Sequence, residues 1–286
     1  LVGSEMCIRD RNNRAYSLPN QDPANCITFD RAVEVCYNKG AGWHLMTAAE
    51  WGVLHNLITA QQLEPRGNTN NGRHHVKTYE HGVLSPQNPN GVYRTLTGTG
   101  GSAWEALGVT DIVGNVHKWI VARLVDGEIQ IIPNNNAAIH KTDLGANSTA
   151  WRAILQDGSL VAPGTAGTLK FDYTGNPANG TTAFHITTTL EHQQKDDAAG
   201  YGGKDFGTLT AKTGVTVPDL LKALALFPNT DRTGRGYIYF RNNGERLLIR
   251  GGNYGNGGNA GEANGNFNNP RSNSNVNVGL FSAFLI

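Results

Sequence analysis

Near the end of this 286-residue chain, a 29-residue segment, 251–279, holds 10 asparagines and 8 glycines, with only Glu262 and Arg271 charged. So polar a stretch cannot supply a core of its own, and its composition alone would suit a linker. It lies between two strand-like runs, 246–250 and 279–284, where a linker has nothing to link. The sequence therefore predicts a long surface loop system, held by asparagine side chains that bond nearby backbone. The rest of the chain has to fold into a scaffold that presents it.

The patterned segments suggest what that scaffold is. Phe29, Ala32, Val33 and Cys36 recur at helical spacing over 27–38, and Gly40 stops the run. Thr47 and Glu50 form a capping box for a second helix carrying a Trp51, Leu54, Leu57, Ile58 stripe. Residues 64–108 are rich in turn chemistry and show little periodicity. Beyond them, 118–125 and 128–132 flank Asp126-Gly127 as one hairpin, and 236–240 and 246–250 flank Asn242-Asn243-Gly244 as a second. The region 133–235 reads as an insertion or subdomain, with strand-like runs at 151–155 and 168–173 and a helix over 218–226. Helical placement of Cys36 carries it about 12 Å along the axis from residue 28, so no disulfide with Cys26 is expected.

Residues 1–10, Leu-Val-Gly-Ser-Glu-Met-Cys-Ile-Arg-Asp, match an in-frame translation of a DNA-library adapter and are read as a sequencing scar. The natural start is then expected upstream. The remaining chain divides into 11–132, the 133–235 insertion and 236–286, the two outer parts forming one α+β domain of two helices on small antiparallel sheets.

Apolar residues are 38% of the chain and charged residues 16%, the difference being made up by Gly, Asn and Thr, which argues against a charge-rich disordered chain. A net charge of +1 leaves no electrostatic footprint for nucleic acid, and no apolar run approaches the ~18 residues that span a bilayer. His74, His75 and His81 lack metal-ligand spacing and read as loop histidines. Gly200-Tyr201-Gly202-Gly203-Lys204-Asp205 lacks the first Gly and the Ser or Thr of a phosphate loop. No Gly-x-Ser-x-Gly elbow occurs, and Cys36 has no placed histidine. The expectation is a non-enzyme with no cofactor and no metal.

Four stretches carry a resemblance: Gly42-Trp43-His44-Leu45-Met46-Thr47-Ala48-Ala49-Glu50-Trp51; Pro65-Arg66-Gly67-Asn68; Gly108-Val109-Thr110-Asp111-Ile112-Val113-Gly114-Asn115-Val116; and Arg250-Gly251-Gly252 with Arg271-Ser272-Asn273 and Gly279-Leu280-Phe281. In order and spacing they resemble the sulfatase-modifying-factor branch of the C-type lectin fold, and within it the variable proteins of diversity-generating retroelements. The resemblance covers 27–135 and 236–286. It departs from the formylglycine-generating enzymes, since no Cys follows Cys36, and from the usual Gly-Asn-Val-Trp-Glu-Trp, which is Gly114-Asn115-Val116-His117-Lys118-Trp119 here. His117 is read as filling the aromatic slot.

The resemblance implies a ligand- or receptor-binding protein of a phage or prophage, of tail-fibre or surface-adhesin type, located on a virion or bacterial cell surface. Its partner would be a cell-surface protein or glycan, and homo-oligomers are one possible assembly. An oxidase-branch enzyme and an inert virion protein are the alternatives. Copying errors at template adenines turn asparagine codons into many others, which implies display positions at Tyr254, Asn256, Gly257, Asn259, Ala263, Asn264 and Asn266. Glu262 is unreachable by that route and is read as fixed, and Asn273, Asn275 and Asn277 are read as scaffold.

Overall fold

The computed structural model describes residues 7–9, 13–176, 182–194, 202–230 and 233–285. The chain opens with strands β1 (Cys7–Arg9) and β2 (Ala15–Ser17), helix α1 (Phe29–Tyr37), β3 (Trp43–Leu45) and helix α2 (Ala48–Ala60). An irregular stretch leads to β4 (Glu105–Ala106), β5 (Val109–Thr110) and the long hairpin of β6 (His117–Val125) and β7 (Glu128–Ile131). Then come β8 (Arg152–Ile154), β9 (Leu160–Val161), β10 (Lys170–Thr174), β11 (Ala183–Thr187), β12 (Lys204–Asp205), β13 (Thr210–Ala211) and helix α3 (Asp219–Ala223). The chain closes with β14 (Tyr237–Phe240), β15 (Glu245–Gly251), β16 (Gly261–Asn269), β17 (Val278–Leu280) and β18 (Ser282–Phe284). The fold is α+β.

Local chemistry fixes the helices as expected. Thr28 caps α1, and Thr47 and Glu50 bond each other's backbone in a complete capping box on α2. In α2, Trp51, Leu54 and Ile58 are buried, but Leu57 is 44% exposed, and His55 takes the inward position instead. Cys26 and Cys36 form no disulfide.

In place of small antiparallel sheets there is one mixed 12-stranded sheet, accompanied by two-stranded pairings β1–β2, β18–β3 and β4–β5. Its main path runs β12-β14-β16-β15-β6-β7-β10-β11-β13. β6 runs through its middle with both faces covered. Trp119 and Val121 pack with α1, whereas Ile120, Ala122 and Leu124 pack on the opposite side with Trp51, Leu54 and Ile58 of α2. That two-sided packing follows from the period of 2 along a strand.

Two expectations from the sequence fail here. β14 and β15 do not form a hairpin, because β16 lies between them, parallel to β14 and antiparallel to β15. Asn242 is not free to make their turn. Its buried side chain donates to Phe171 O (3.3 Å) and His192 O (2.8 Å) and accepts from the Gln194 amide. The asparagine-rich segment is likewise not all loop, since 261–269 is strand β16. Ala263, Gly265 and Phe267 alternate along it with Asn264, Asn266 and Asn268.

The region 133–235 shares its sheet and core with the outer parts among the described residues. Its strands β8 to β13 lie in the same sheet, and Phe171, Phe184 and Leu221 share a core with Trp51. Arg250, fully buried on β15, seals the junction by donating to Ala225 O (2.7 Å), Leu224 O (3.4 Å) and Ala263 O (3.2 Å). Among the described residues, 7–9, within the segment read as a scar, pair only with 15–17. Gly200 and Tyr201 of the glycine-rich turn lie outside the described residues.

Candidate binding cleft

The motifs at 65–68 and 108–116 act as staples for the irregular region. The buried Asn68 amide donates to Tyr93 O (2.7 Å) and accepts from the Gly72 amide (2.7 Å). Asn115 does the same for Thr95, accepting from its amide at 2.8 Å and donating to its carbonyl at 3.0 Å. The two loops meet backbone to backbone: a Cβ on Gly114, at φ 74°, would stand 2.1 Å from Asn68 O. No other residue fits there. Gly251, at φ 85°, is packed equally tightly against Ile112 O. Asn115 O then accepts from the Tyr254 amide, and Tyr254 O from the Asn71 amide, so the loop after β15 is bolted to a rigid base.

That loop, β16 and the turn before β17 enclose a cleft of about 310 Å³. Asn253 and Asn256 come from the loop, Asn266, Asn268 and Asn269 from β16, and Asn273, Asn275 and Asn277 from the turn. Tyr239 of β14 and His117 of β6 complete the polar lining, over a floor of buried Ile249 and Val278. No charged side chain lines the cleft among the described residues. Burial, with the neighbouring Lys118 charge, pulls His117 down to about 3, so its imidazole stays neutral at ordinary pH.

The amides fall into two groups. Those of Asn253, Asn256, Asn266 and Asn275 accept from the backbone amides of Gly255, Asn253, Asn268 and Val276 and hold the loops in shape. The others have no such partner. Nδ2 of Asn268, Asn269 and Asn273, Oδ1 of Asn268 and Asn277, and His117 Nδ1 are buried without a hydrogen bond. Leaving a polar atom so costs about 1–3 kcal/mol.

The seven positions expected to be displayed divide accordingly. Tyr254, Asn256, Gly257, Asn259 and Asn266 are half-buried at the surface, and Asn259 donates to the Tyr239 hydroxyl at 3.0 Å. Burial raises the Tyr254 phenol above its ordinary value. Ala263 and Asn264, however, are fully buried, which removes them from any display surface. Ala263 faces the α2-side core, and the Asn264 amide is spent on Asn259 O. Conversely, Asn273 and Asn277, expected as scaffold, line the cleft without bonding loop backbone, while Asn275 does bond it. Glu262, expected to be fixed, is buried, its carboxyl pKa raised by desolvation and the group bonded to the Arg235 amide. Asn268, Asn269, Tyr239 and His117 escaped the sequence reading. The alternation along β16 was the signal for Asn268.

A second cavity, about 440 Å³, opens beside Gly258, with Arg66, His74, His75, Asp205 and Arg235 in its wall. The two imidazoles lie with centroids 4.4 Å apart and planes tilted by 50°. His74 Nδ1 accepts from the Val76 and Lys77 amides, and burial depresses its pKa to about 4. Glu80 chelates Arg66 Nε through both oxygens, and Glu64 and Glu262 flank Arg235, so both arginines of the wall have acidic neighbours. Among the described residues no three His, Cys, Asp or Glu side chains are grouped to hold a metal, and no helix is long and apolar enough to cross a membrane.

No protein-family model matches this chain, and no curated protein matches it either.

Proposed function

We propose that this protein binds a ligand on a cell surface through the asparagine cleft, as a phage- or prophage-encoded tail-fibre or adhesin module on a C-type-lectin-type scaffold. One observation carries the reading: six buried polar atoms without partners lie together around this one cleft. Buried polar groups normally find partners, and an incoming ligand would supply them here. The rigid base under Tyr254 and the Asx-type bonds of the loops support it further, since preorganisation lowers the entropic cost of binding. The non-enzyme reading and the surface location belong to the same proposal.

The test is binding of the labelled intact protein to a panel of bacterial cells, compared with an Asn268→Leu, Asn273→Leu double variant. The variant is expected to melt like the parent and lose binding. Undiminished binding by a folded double variant would place the ligand elsewhere.

A further inference from the structure

We infer that the cleft's ligand is a neutral, hydroxyl-rich sugar, held by hydrogen bonds alone and without a bridging metal ion. This rests on the proposed binding role of the cleft and concerns only what enters it.

Charge comes first. Eight asparagines, a tyrosine and a neutral histidine form the polar wall, and no Asp, Glu, Lys or Arg is among the described lining residues. A sulfated, sialylated or strongly charged peptide ligand would shed its hydration against a wall offering no counter-charge. An unpaired desolvated ion is costly. The same wall offers no carboxylate oxygen, the ligand on which calcium sites in proteins depend, so a metal-bridged sugar has no anchor here.

Apolar contact comes next. Protein partners draw most of their affinity from apolar or aromatic anchors seated in pockets. Ile249 and Val278 at the floor are already spent in the α1-side core and expose almost nothing. A protruding side chain of a protein partner would find amides where it needs hydrocarbon.

Hydrogen-bond complementarity decides between the neutral candidates. The unpartnered atoms are of both kinds, with donors on Asn268, Asn269 and Asn273 and acceptors on Asn268 and Asn277. The terminal torsion of asparagine is soft, so a small turn of each amide brings these atoms to the cleft surface. A sugar hydroxyl donates once and accepts twice, and two neighbouring hydroxyls can meet the Nδ2 and Oδ1 of one asparagine together. At about 310 Å³ the cleft lies at the small end of ligand sites, suited to the end of an oligosaccharide.

The experiment presents the intact protein with immobilised neutral oligosaccharides alongside sialylated and sulfated ones, with and without EDTA, and competes cell binding with the free neutral sugars. Expected are binding to a subset of the neutral sugars, indifference to EDTA, and competition on cells. Asn268→Asp should weaken sugar binding about tenfold or more, the scale of one hydrogen bond left unmade. Preference for the anionic sugars, loss of binding in EDTA, no binding to any neutral sugar, or cell binding abolished by protease but not by competing sugar would overturn the sugar assignment. In those cases sensitivity of cell binding to the Asn268→Leu, Asn273→Leu pair would still uphold the cleft. Insensitivity of cell binding to that pair, in folded protein, would instead remove the cleft reading itself.

Discussion

Lys118 ends its side chain inside the backbone, its ammonium donating to Gly114 O at 2.7 Å and Ile112 O at 3.3 Å with no exposure to solvent. Burial lowers its pKa and raises that of Asp111, the carboxyl it interacts with. A buried amine donor therefore ties down the very loop that supports Gly251 and Tyr254. Lys118→Met would keep the apolar stem but leave two carbonyls and a buried acid uncompensated. A loss of about 3 kcal/mol is expected in denaturant unfolding; a loss below about 1 kcal/mol would mean the ammonium is incidental. The buried histidines give a second prediction at this scale. Desolvation, mainly, holds His55 and His74 near 4 and His117 near 3, against about 6.5 when unfolded. Between those values the unfolded chain binds more protons, so their contribution is intact above pH 6.5 and is lost as pH falls towards 4. The raised carboxyls of Asp111 and Glu262 act in the opposite sense. His55→Gln isolates the histidine share. Its Tm should decline less than the parent's between pH 7 and 5, and parallel slopes would contradict the assignment.

At the scale of elements, the helices show how far periodicity reaches. The stripe found the buried face of α2 but misplaced its edge, since Leu54 is buried and Leu57 exposed. Leu54→Asp should then cost more than about 3 kcal/mol as an unpaired buried acid, and Leu57→Asp no more than about 0.5. Equal costs in thermal unfolding would refute that orientation. Among the described residues β1 pairs only with β2, outside the main sheet, and a lone two-stranded pairing is marginal in water. Removing residues 1–10 should leave Tm within a few degrees of the parent. Strand β16 was the hard element to read. Its inward residues are Ala263, Gly265 and Phe267, so the alternation is present but carries little hydrophobicity, and ten asparagines nearby mimic loop composition. The second hairpin failed for a different reason. Asn242-Asn243-Gly244 has good turn chemistry, but the Asn242 side chain is engaged with residues 171, 192 and 194, a long-range contact that no local pattern contains. The cleft was half legible on the same grounds: the asparagine segment announced where it would be, while Tyr239 and His117 reach it through sheet order alone.

For the whole molecule, the design question is how a segment so rich in asparagine and glycine coexists with a stable fold. The answer lies in which atoms of the segment hold the scaffold. Trp51 Nε1 donates to the backbone of Glu262 at 2.9 Å, and Arg271 grips Glu245 through two bonds while lying over the Phe29 ring. Gly251 and Gly279 admit no Cβ without meeting backbone oxygen at 2.3 Å. These contacts clamp β16 and its flanking turns from beneath, independently of the cleft side chains that bond no loop backbone. Randomising Tyr254, Asn268, Asn269, Asn273 and Asn277 should therefore leave most variants folded, with stability shifts mostly near 0.5 kcal/mol, since surface positions tolerate change. Randomising Gly251, Ala263, Asn264 and Gly279 should leave few, because close packing and positive φ allow no alternative there. Melting temperatures across the two libraries read the difference directly. Were the first set to unfold as often as the second, the cleft asparagines would be holding the fold together and could not be available to a ligand.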